Sequence, residues 1–507
     1  MLATNKIVPM PKLVDLIAEY KRQGKRVVHC HGVFDLLHIG HIRYFRQAAA
    51  MGDVLVVTLT PDEFVDKGPH RPAFTQALRA EAVASQDAVD HVAVNLWPTA
   101  EETLRALLPD VYVKGSDFKS VDADPTGKLQ REAEVCKELG IELRLTQDIV
   151  FSSTNLINRF LSSFDEDVQE YLDVFRSRYS IRDIEWVLEQ MSKLTVTVVG
   201  DAILDDYQFC SPLGASSKEP VLVFKHEGED LFAGGALAVA NHLANFAGTV
   251  HLFTVLGEED SHEDFIRRNL RGNVTPHFAF QKKAPTIRKR RYVEGYSMAK
   301  LLEIYHMDDS GLDDERDGAF REAMKAQAEG SDLVVAADFG HGAISPACRN
   351  MLAETPFLAV NTQANAGNRG FHTIACYDRC DFISLAEPEI RLDARDTSSG
   401  VNILAEGVLN KSRASMVAVT RGKKGSFVLT SDGVGVLVPA FVDKIVDRIG
   451  SGDAFFSVAS LAAKLGVQPD LVAFLGNVAG SIAVGIVGNK KSIDRATLLK
   501  HVTSLLK

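Results

Sequence analysis

A chain of 507 residues, 46% of them hydrophobic, is too long for a single core and points to two to four domains, two large ones being the simplest division. Its 67 acidic residues outnumber 56 basic ones, and a net charge of -11 argues against a nucleic-acid binder, because affinity for a phosphate backbone needs clustered cations. No apolar run reaches the roughly eighteen residues of a membrane span, and the start MLATNKIVPMPK lacks a signal-peptide core, so a cytoplasmic protein with small-molecule ligands, and neither membrane nor nucleic-acid partners, is expected.

The six cysteines are scattered, with no CxxC pair for zinc, and read as reduced, mostly packed thiols. From about Lys25 to Phe160, apolar strands alternate with helical stretches: VVHC, HIRYFRQAAAMG, DVLVVTLT, a second helical segment, HVAVNL and DVYVKGSDF. This alternation predicts a parallel sheet covered by helices, with ligands at the carboxyl ends of the strands. Directly after the first strand comes HGVFDLLHIGH, His31 to His41. The chain turns at Gly32, followed by Val33 and Phe34, and His38 and His41 lie one helical turn apart, so their imidazoles share a face. Two imidazoles beside a helix N-terminus stabilise a crowded anion such as a nucleotide's phosphates. Further on, Lys67 and Arg71 in DKGPHRP form a basic pair in a Gly/Pro-rich loop, either a solvated surface turn or a segment that closes over phosphates. In FSSTNLINRF, Ser152, Ser153 and Thr154 begin a helix whose amides and hydroxyls suit a cap or an anion.

The stretch 161–180, LSSFDEDVQEYLDVFRSRYS, is charged, has apolar residues at helical spacing and contains neither Gly nor Pro, which predicts a helical connector. A second start follows at LTVTVVGDAILDDY, and strand–helix alternation continues to the C-terminus. The expected domains are therefore 1–165, a connector over 166–180, and 181–507. In the second half, DRIGSGDAFFS sets Gly450, Ser451 and Gly452 before Asp453 and an apolar helix, small residues that let backbone amides approach a phosphate while the Asp accepts a hydroxyl proton. AGGALAVANHLANFAG carries Gly234, Gly235 and Asn241 in a turn entering a small-residue helix, and GDAILDDY places Asp201 and Asp205 at a strand end.

The HxGH segment resembles the cytidylyltransferase-like nucleotidyltransferases, a Rossmann-like α/β fold whose two histidines bind a triphosphate during transfer of a nucleoside monophosphate. That resemblance implies phosphate contacts from Lys67, Arg71 and Arg79, nucleotide contacts from Lys114 and Asp117 of VKGSDF, and a matching role for Ser152, Ser153 and Thr154. The implied chemistry is attack by a substrate phosphate on the α-phosphorus of a nucleoside triphosphate with release of pyrophosphate, magnesium bridging the phosphates. His38, His41 and Lys67 would then be electrostatic rather than nucleophilic.

The second half resembles the ribokinase-like (PfkB) carbohydrate kinases, an α/β fold. The resemblance makes Asp453 the catalytic base, places Asp201, Asp205, Gly234, Gly235 and Asn241 at the sugar, and puts Thr420, Gly422 and Gly425 of VTRGKKGSFVL beside the adenine. SSKEPVLVF and DFGHGAIS, the latter holding Asp338, match as well. Two departures stand out: SLAEPEIR has Ala386 where the family has Asn, leaving Glu389 as the expected magnesium-organising acid, and VNTQANAGNRG has Asn361 and Gln363 in place of an acid and a base.

Taken together the chain resembles the bifunctional heptose-phosphate kinase/nucleotidyltransferases of ADP-heptose synthesis, with the two domains in reversed order. The resemblance implies phosphorylation of a sugar, a heptose phosphate at its anomeric hydroxyl, then coupling of the sugar 1-phosphate to a nucleotide from ATP or CTP, with Mg2+ as cofactor and a homodimer as the assembly. Two alternatives stay open: a cytidylyltransferase acting on another phosphorylated polyol or sugar, and a degenerate kinase half that serves as a sugar-binding or dimerisation module.

Overall fold

The computed structural model describes residues 3–65, 72–115, 128–146, 165–442 and 445–506. The chain divides into two compact units, 1–163 with 500–507, and 164–499.

In the first unit, strands β1 (Val27–Gly32), β2 (Val54–Leu59), β3 (His91–Val94), β4 (Val111–Lys114) and β5 (Glu142–Leu145) form one sheet in the order 3-2-1-4-5. All four pairings are parallel. β1 and β2 read as unbroken apolar runs because both of their faces are covered: Val28, Leu55 and Val57 pack with Phe45 and Val83 on one side, Val27, Val54 and Val56 with Leu13 and Ile17 on the other. The order reverses between β1 and β4, so their carboxyl ends open the crevice in which doubly wound sheets bind ligands.

The second unit is built on β6 (Thr195–Ala215), a strand of 21 residues that serves two sheets. Its first third lies between β8 (Thr249–Glu259) and β12 (Leu333–Asp338) in a sheet that continues through β13 (Leu358–Thr362), β14 (Phe382–Ala386) and β15 (Met416–Thr420). Pairings within this run are parallel, β9 (Val274–Pro285) extends it beyond β8, and β16 (Ser426–Thr430) and β17 (Gly435–Val438) close the far edge antiparallel. The remainder of β6 pairs with β7 (Leu222–Gly235) and β10 (Arg288–Glu294), and β11 (Lys300–His306) pairs with β10, making a second, smaller sheet. Helices Ser451–Lys464 and Pro469–Ala483 are almost wholly buried.

The segment expected to be a connector is a helix, Glu166–Arg178, but it belongs to the packing of this second unit. Phe175 stacks on Phe474 with centroids 4.0 Å apart, and the Tyr179 hydroxyl donates to Asp470 at 2.7 Å. Its charged face explains why the sequence reads as solvated; its apolar face, Val168, Leu172 and Phe175, is buried.

Candidate functional sites

At the end of β1, Gly32 and Phe34 shape the turn. A Cβ on Gly32 would lie 2.9 Å from the Phe34 ring, and Phe34 itself takes the left-handed region at φ 47°. The helix that follows starts at Ile39, so His38 is its N-cap and not a residue of its first turn. The His38 Nδ1 accepts the Gly40 amide at 3.1 Å, which places the ring proton on Nε2 and makes that atom a donor. His41 stacks on His38 with centroids 4.0 Å apart, and Phe34 meets His41 edge-on at 5.4 Å. The two imidazoles are thus brought together at a helix N-terminus on the carboxyl edge of the sheet, an arrangement suited to a polyphosphate.

Arg79, expected on phosphate, has another task. It is 1% exposed; its Nε donates to Phe74 O at 3.0 Å, Nη1 to Val33 O, and Nη2 to Thr60 O at 2.8 Å and Asp62 at 2.6 Å. The guanidinium therefore ties the turn after β1 to the segment after β2, because five fixed donors suit a cluster of carbonyls as well as they suit a phosphate. Asp35 receives the Phe74 amide at 3.1 Å and joins the same clamp. Lys114 forms an ion pair with the buried Glu132 at 2.8 Å, and the Tyr112 hydroxyl donates to that carboxylate at 3.1 Å, so the ammonium reaches the crevice already paired. Lys67, Arg71, Asp117, Ser152, Ser153 and Thr154 lie outside the described residues.

Sequence reasoning missed a buried polar chain behind the histidines. Thr58 Oγ1 stands 2.8 Å from both His29 Nε2 and His31 Nδ1. Complete burial, then the nearby Lys114 charge, push His29 down to about 3, so it is neutral. The signal was available as two histidines in alternate positions of an otherwise apolar strand.

In the second unit, Gly450 caps the helix Ser451–Lys464 at φ 81°, where a Cβ would lie 2.3 Å from Asn489 Oδ1. Ser451 donates its hydroxyl to Arg448 O at 2.9 Å, so that side chain shapes the loop. Asp453 is in the first turn and buried; burial and the neighbouring Asp205 and Glu389 carboxylates push it up to about 7, against the pull of Lys289. Asp205 pairs with Arg291, accepts from Asn489 at 3.1 Å and lies over Gly234, whose Cβ would be 2.1 Å from the carboxylate. Gly235, at φ 58°, packs a would-be Cβ 2.5 Å from Asp201 O. Asp205, Gly234, Gly450 and Asp453 thus form one cluster. The DRIGSGD loop is also clamped to the smaller sheet, since Asp447 accepts from Lys300 at 2.6 Å and from Tyr207 at 2.7 Å.

Two expected sugar contacts are diverted. Asp201 accepts the amides of Phe339, His341 and Ala343 at 2.9, 3.3 and 3.0 Å and holds that loop. Asn241 bonds Asn269 O at 2.8 Å and the Arg271 amide at 2.9 Å, fastening the helix Ala236–Ala244 to the chain before β9. The sequence offered instead Lys289 and Arg291 of TIRKRRYV, cations on the buried face of β10 and within electrostatic reach of Asp205. Alternate cations in a strand whose apolar Val293 shares their face were the available signal.

Near the expected adenine side, Gly425 at φ 78° tolerates no Cβ, which would lie 1.9 Å from Val438 O; Gly422 is at φ 57°, and Thr420 Oγ1 is 3.5 Å from Leu385 O. Glu389 does not present a free carboxylate: it accepts the amides of Ala386 at 2.7 Å and Ala364 at 3.3 Å, and burial pushes it up to about 7. Asn361 donates to Ser384 O at 2.7 Å, and Glu387 pairs with Arg391 and Arg421. These residues do not build a protein-held magnesium site, which needs oxygen ligands facing open space.

Residues 29–164 match the cytidylyltransferase-like family model, and residues 375–495 match that of the pfkB family carbohydrate kinases. The N-terminal part is 36% identical over 165 residues to the bifunctional protein HldE of Geobacter sulfurreducens, covering 32% of each chain. It is 46% identical over 105 residues to HldE of Azorhizobium caulinodans, covering 20% of this chain and 22% of that one. The chain spans at most about a third of the length of these curated relatives. Among solved structures, phosphofructokinase-2 from Escherichia coli in complex with potassium superposes with a TM-score of 0.51 at 13% identity, over 62% of this chain and all of that one, a likeness of fold. The protein is a mixed α/β chain in which a cytidylyltransferase-like stretch is followed by a unit with the phosphofructokinase-2 type of fold that contains the pfkB-like stretch.

Proposed function

We propose that this chain carries out two consecutive steps of nucleotide-activated sugar synthesis. The second unit phosphorylates a sugar from ATP, a heptose phosphate at its anomeric hydroxyl, and the first transfers a nucleotidyl group from ATP or CTP to the resulting sugar 1-phosphate, releasing pyrophosphate. The observation that carries this reading is the pairing, in one chain, of stacked His38 and His41 at one helix N-terminus with buried Asp453 in the first turn behind Gly450 at another. Asp453, ionised above about pH 7, removes the proton of the attacking hydroxyl while the backbone amides after Gly450 face the transferred phosphate. His38 and His41 neutralise charge on the triphosphate as pyrophosphate departs. Magnesium enters with the nucleotide phosphates, and a cytoplasmic homodimer completes the proposal, with the domain order reversed relative to the resembled enzymes.

A second reading is favoured by Glu389 and Asn361, whose polar groups are bound to backbone: an active nucleotidyltransferase beside a kinase-like module that binds sugar without phosphorylating it. Following ADP formation over a panel of heptose and hexose phosphates with ATP, and pyrophosphate release over sugar 1-phosphates with each nucleoside triphosphate, tests both. Pyrophosphate release with no ADP above the Asp453→Asn background selects the second reading; neither product on any sugar refutes the first outright.

A further inference from the structure

In the second unit, β12 ends in Asp338, which is 2% exposed, and the segment between β13 and β14 returns His372 and Cys376 to it. One ligand-type atom from each, a carboxylate oxygen, an imidazole nitrogen and the thiol sulfur, lies within 4.8 Å of the other two. His372 Nε2 stands 3.1 Å from Asp338 Oδ1. The other carboxylate oxygen, Oδ2, is held by the Tyr377 hydroxyl at 2.8 Å and by Arg349 at 3.5 Å, which turns Oδ1 toward the histidine. Outer partners that fix a carboxylate in this way are the usual support of a metal ligand.

The segment that brings the other two donors is itself fixed. Asn365 and Asn368 each donate to Phe339 O at 2.8 Å, tying it to the loop just after Asp338. Of the six cysteines, five are buried, and Cys376 alone is partly exposed. An oxygen, a nitrogen and a sulfur donor together suit a borderline transition ion of the zinc class and do not suit magnesium or calcium, which take oxygen alone.

We propose that Asp338, His372 and Cys376 form a binding site for a divalent transition ion of the zinc class, with water as the fourth ligand. Binding forms bonds from the metal to Oδ1, Nε2 and Sγ; the Nε2 proton and the thiol proton pass to solvent, and no electron is exchanged. Arg349 keeps its place on Oδ2. The ion fastens the end of β12 to the β13–β14 segment, beside the Phe339–Ala343 loop that Asp201 holds.

Cobalt(II) reads the sulfur ligand directly. Chelator-treated full-length protein given one equivalent of Co2+ should develop the near-ultraviolet thiolate-to-cobalt charge-transfer band, and added Zn2+ should abolish it. Cys376→Ser should lose the band, Cys348→Ser should keep it, and His372→Ala should weaken Co2+ binding about 10- to 100-fold. Tyr377→Phe leaves all three ligands in place and should weaken binding by about 10-fold, which covers the case in which a ligand variant fails to fold. A wild-type protein without the band, a band that survives in folded Cys376→Ser, or unchanged affinity in Tyr377→Phe overturns the proposal. Cobalt bound only at His38 and His41 gives no thiolate band and overturns it equally.

Discussion

Replacing Arg79 by Met keeps the buried stem and removes the guanidinium. The change strands three backbone carbonyls, of Val33, Phe74 and Thr60, and releases Asp62, whose side chain is 37% exposed. Each buried acceptor left without a partner costs about 1–3 kcal/mol, and breaking a buried charged network costs about 3–5 kcal/mol in total. The partly exposed Asp62 rehydrates, so a loss near 3 kcal/mol is expected. The chain has two tryptophans, Trp97 in the first unit and Trp186 in the second. In a Trp186→Phe background, fluorescence therefore follows the first unit alone, since Trp97 packs against the cluster around Leu13 and Ile17. With a urea slope of about 2 kcal/mol/M, the midpoint of that transition should fall by about 1.5 M. A midpoint moved by less than about 0.3 M, combined with lost pyrophosphate release, would refute the clamp and return Arg79 to the phosphates.

Four further outcomes follow from the same structure. His41→Ala, which removes the ring stacked on His38, should abolish pyrophosphate release; retained turnover contradicts the assignment. Asp453→Asn should slow ADP formation by about 10²–10⁴ and leave pyrophosphate release unchanged, and the wild-type kinase rate should climb through about pH 7, where the carboxyl ionises. The same raised value has a stability consequence: ionising Asp453 in the fold is unfavourable, the penalty is absent below about pH 4 and complete above about pH 7, so Asp453→Asn should melt higher than wild type at pH 8 and equal to it at pH 4. A fragment 165–507 should melt cooperatively, whereas 178–507, which lacks Val168, Leu172 and Phe175, should melt several degrees lower or aggregate.

Strand–helix alternation and turn chemistry made the parallel sheet of each unit legible, because a parallel sheet covered on two faces writes its strands as continuous apolar runs and its ligand loops as Gly, His and Asp. The long β6 was harder: a single strand of 21 residues feeding two sheets shows no break in sequence at the point where it changes partners. His38 stacks on His41, and Asp205 and Gly234 lie together near Asp453, so these motifs marked groups that the fold brings together. Arg79, Asp201 and Asn241 bond nearby loops, which the sequence does not reveal: a fork of donors or a carboxylate that fits a substrate fits a nearby loop equally well, and only the fold decides which is closer. Lys289, Arg291 and Thr58 went unread because their meaning depends on pairings across strands distant in sequence.

The two ends of the proposed kinase site are held together in different ways, and this sets which property is lost first. Around Asp453 the charges are intact: Asp205 is held by Arg291 and Asn489 over Gly234, and the loop at Asp447 is fastened to the smaller sheet. At the other end, Asn361 donates to Ser384 O, Glu389 accepts two backbone amides, and Glu387 is neutralised by Arg391 and Arg421. Freeing Glu389 would leave the amides of Ala386 and Ala364 unpartnered, so the rearranged end is self-sustaining. Sugar affinity should therefore survive while nucleotide affinity falls. Calorimetry should find a sugar phosphate that binds the second unit, with binding reduced in Arg291→Ala, and an ATP affinity at least tenfold weaker than the sugar's. An ATP affinity equal to or tighter than the sugar's would show that the altered end still grips the nucleotide, and the changes at Asn361, Gln363 and Ala386 would then have no bearing on turnover.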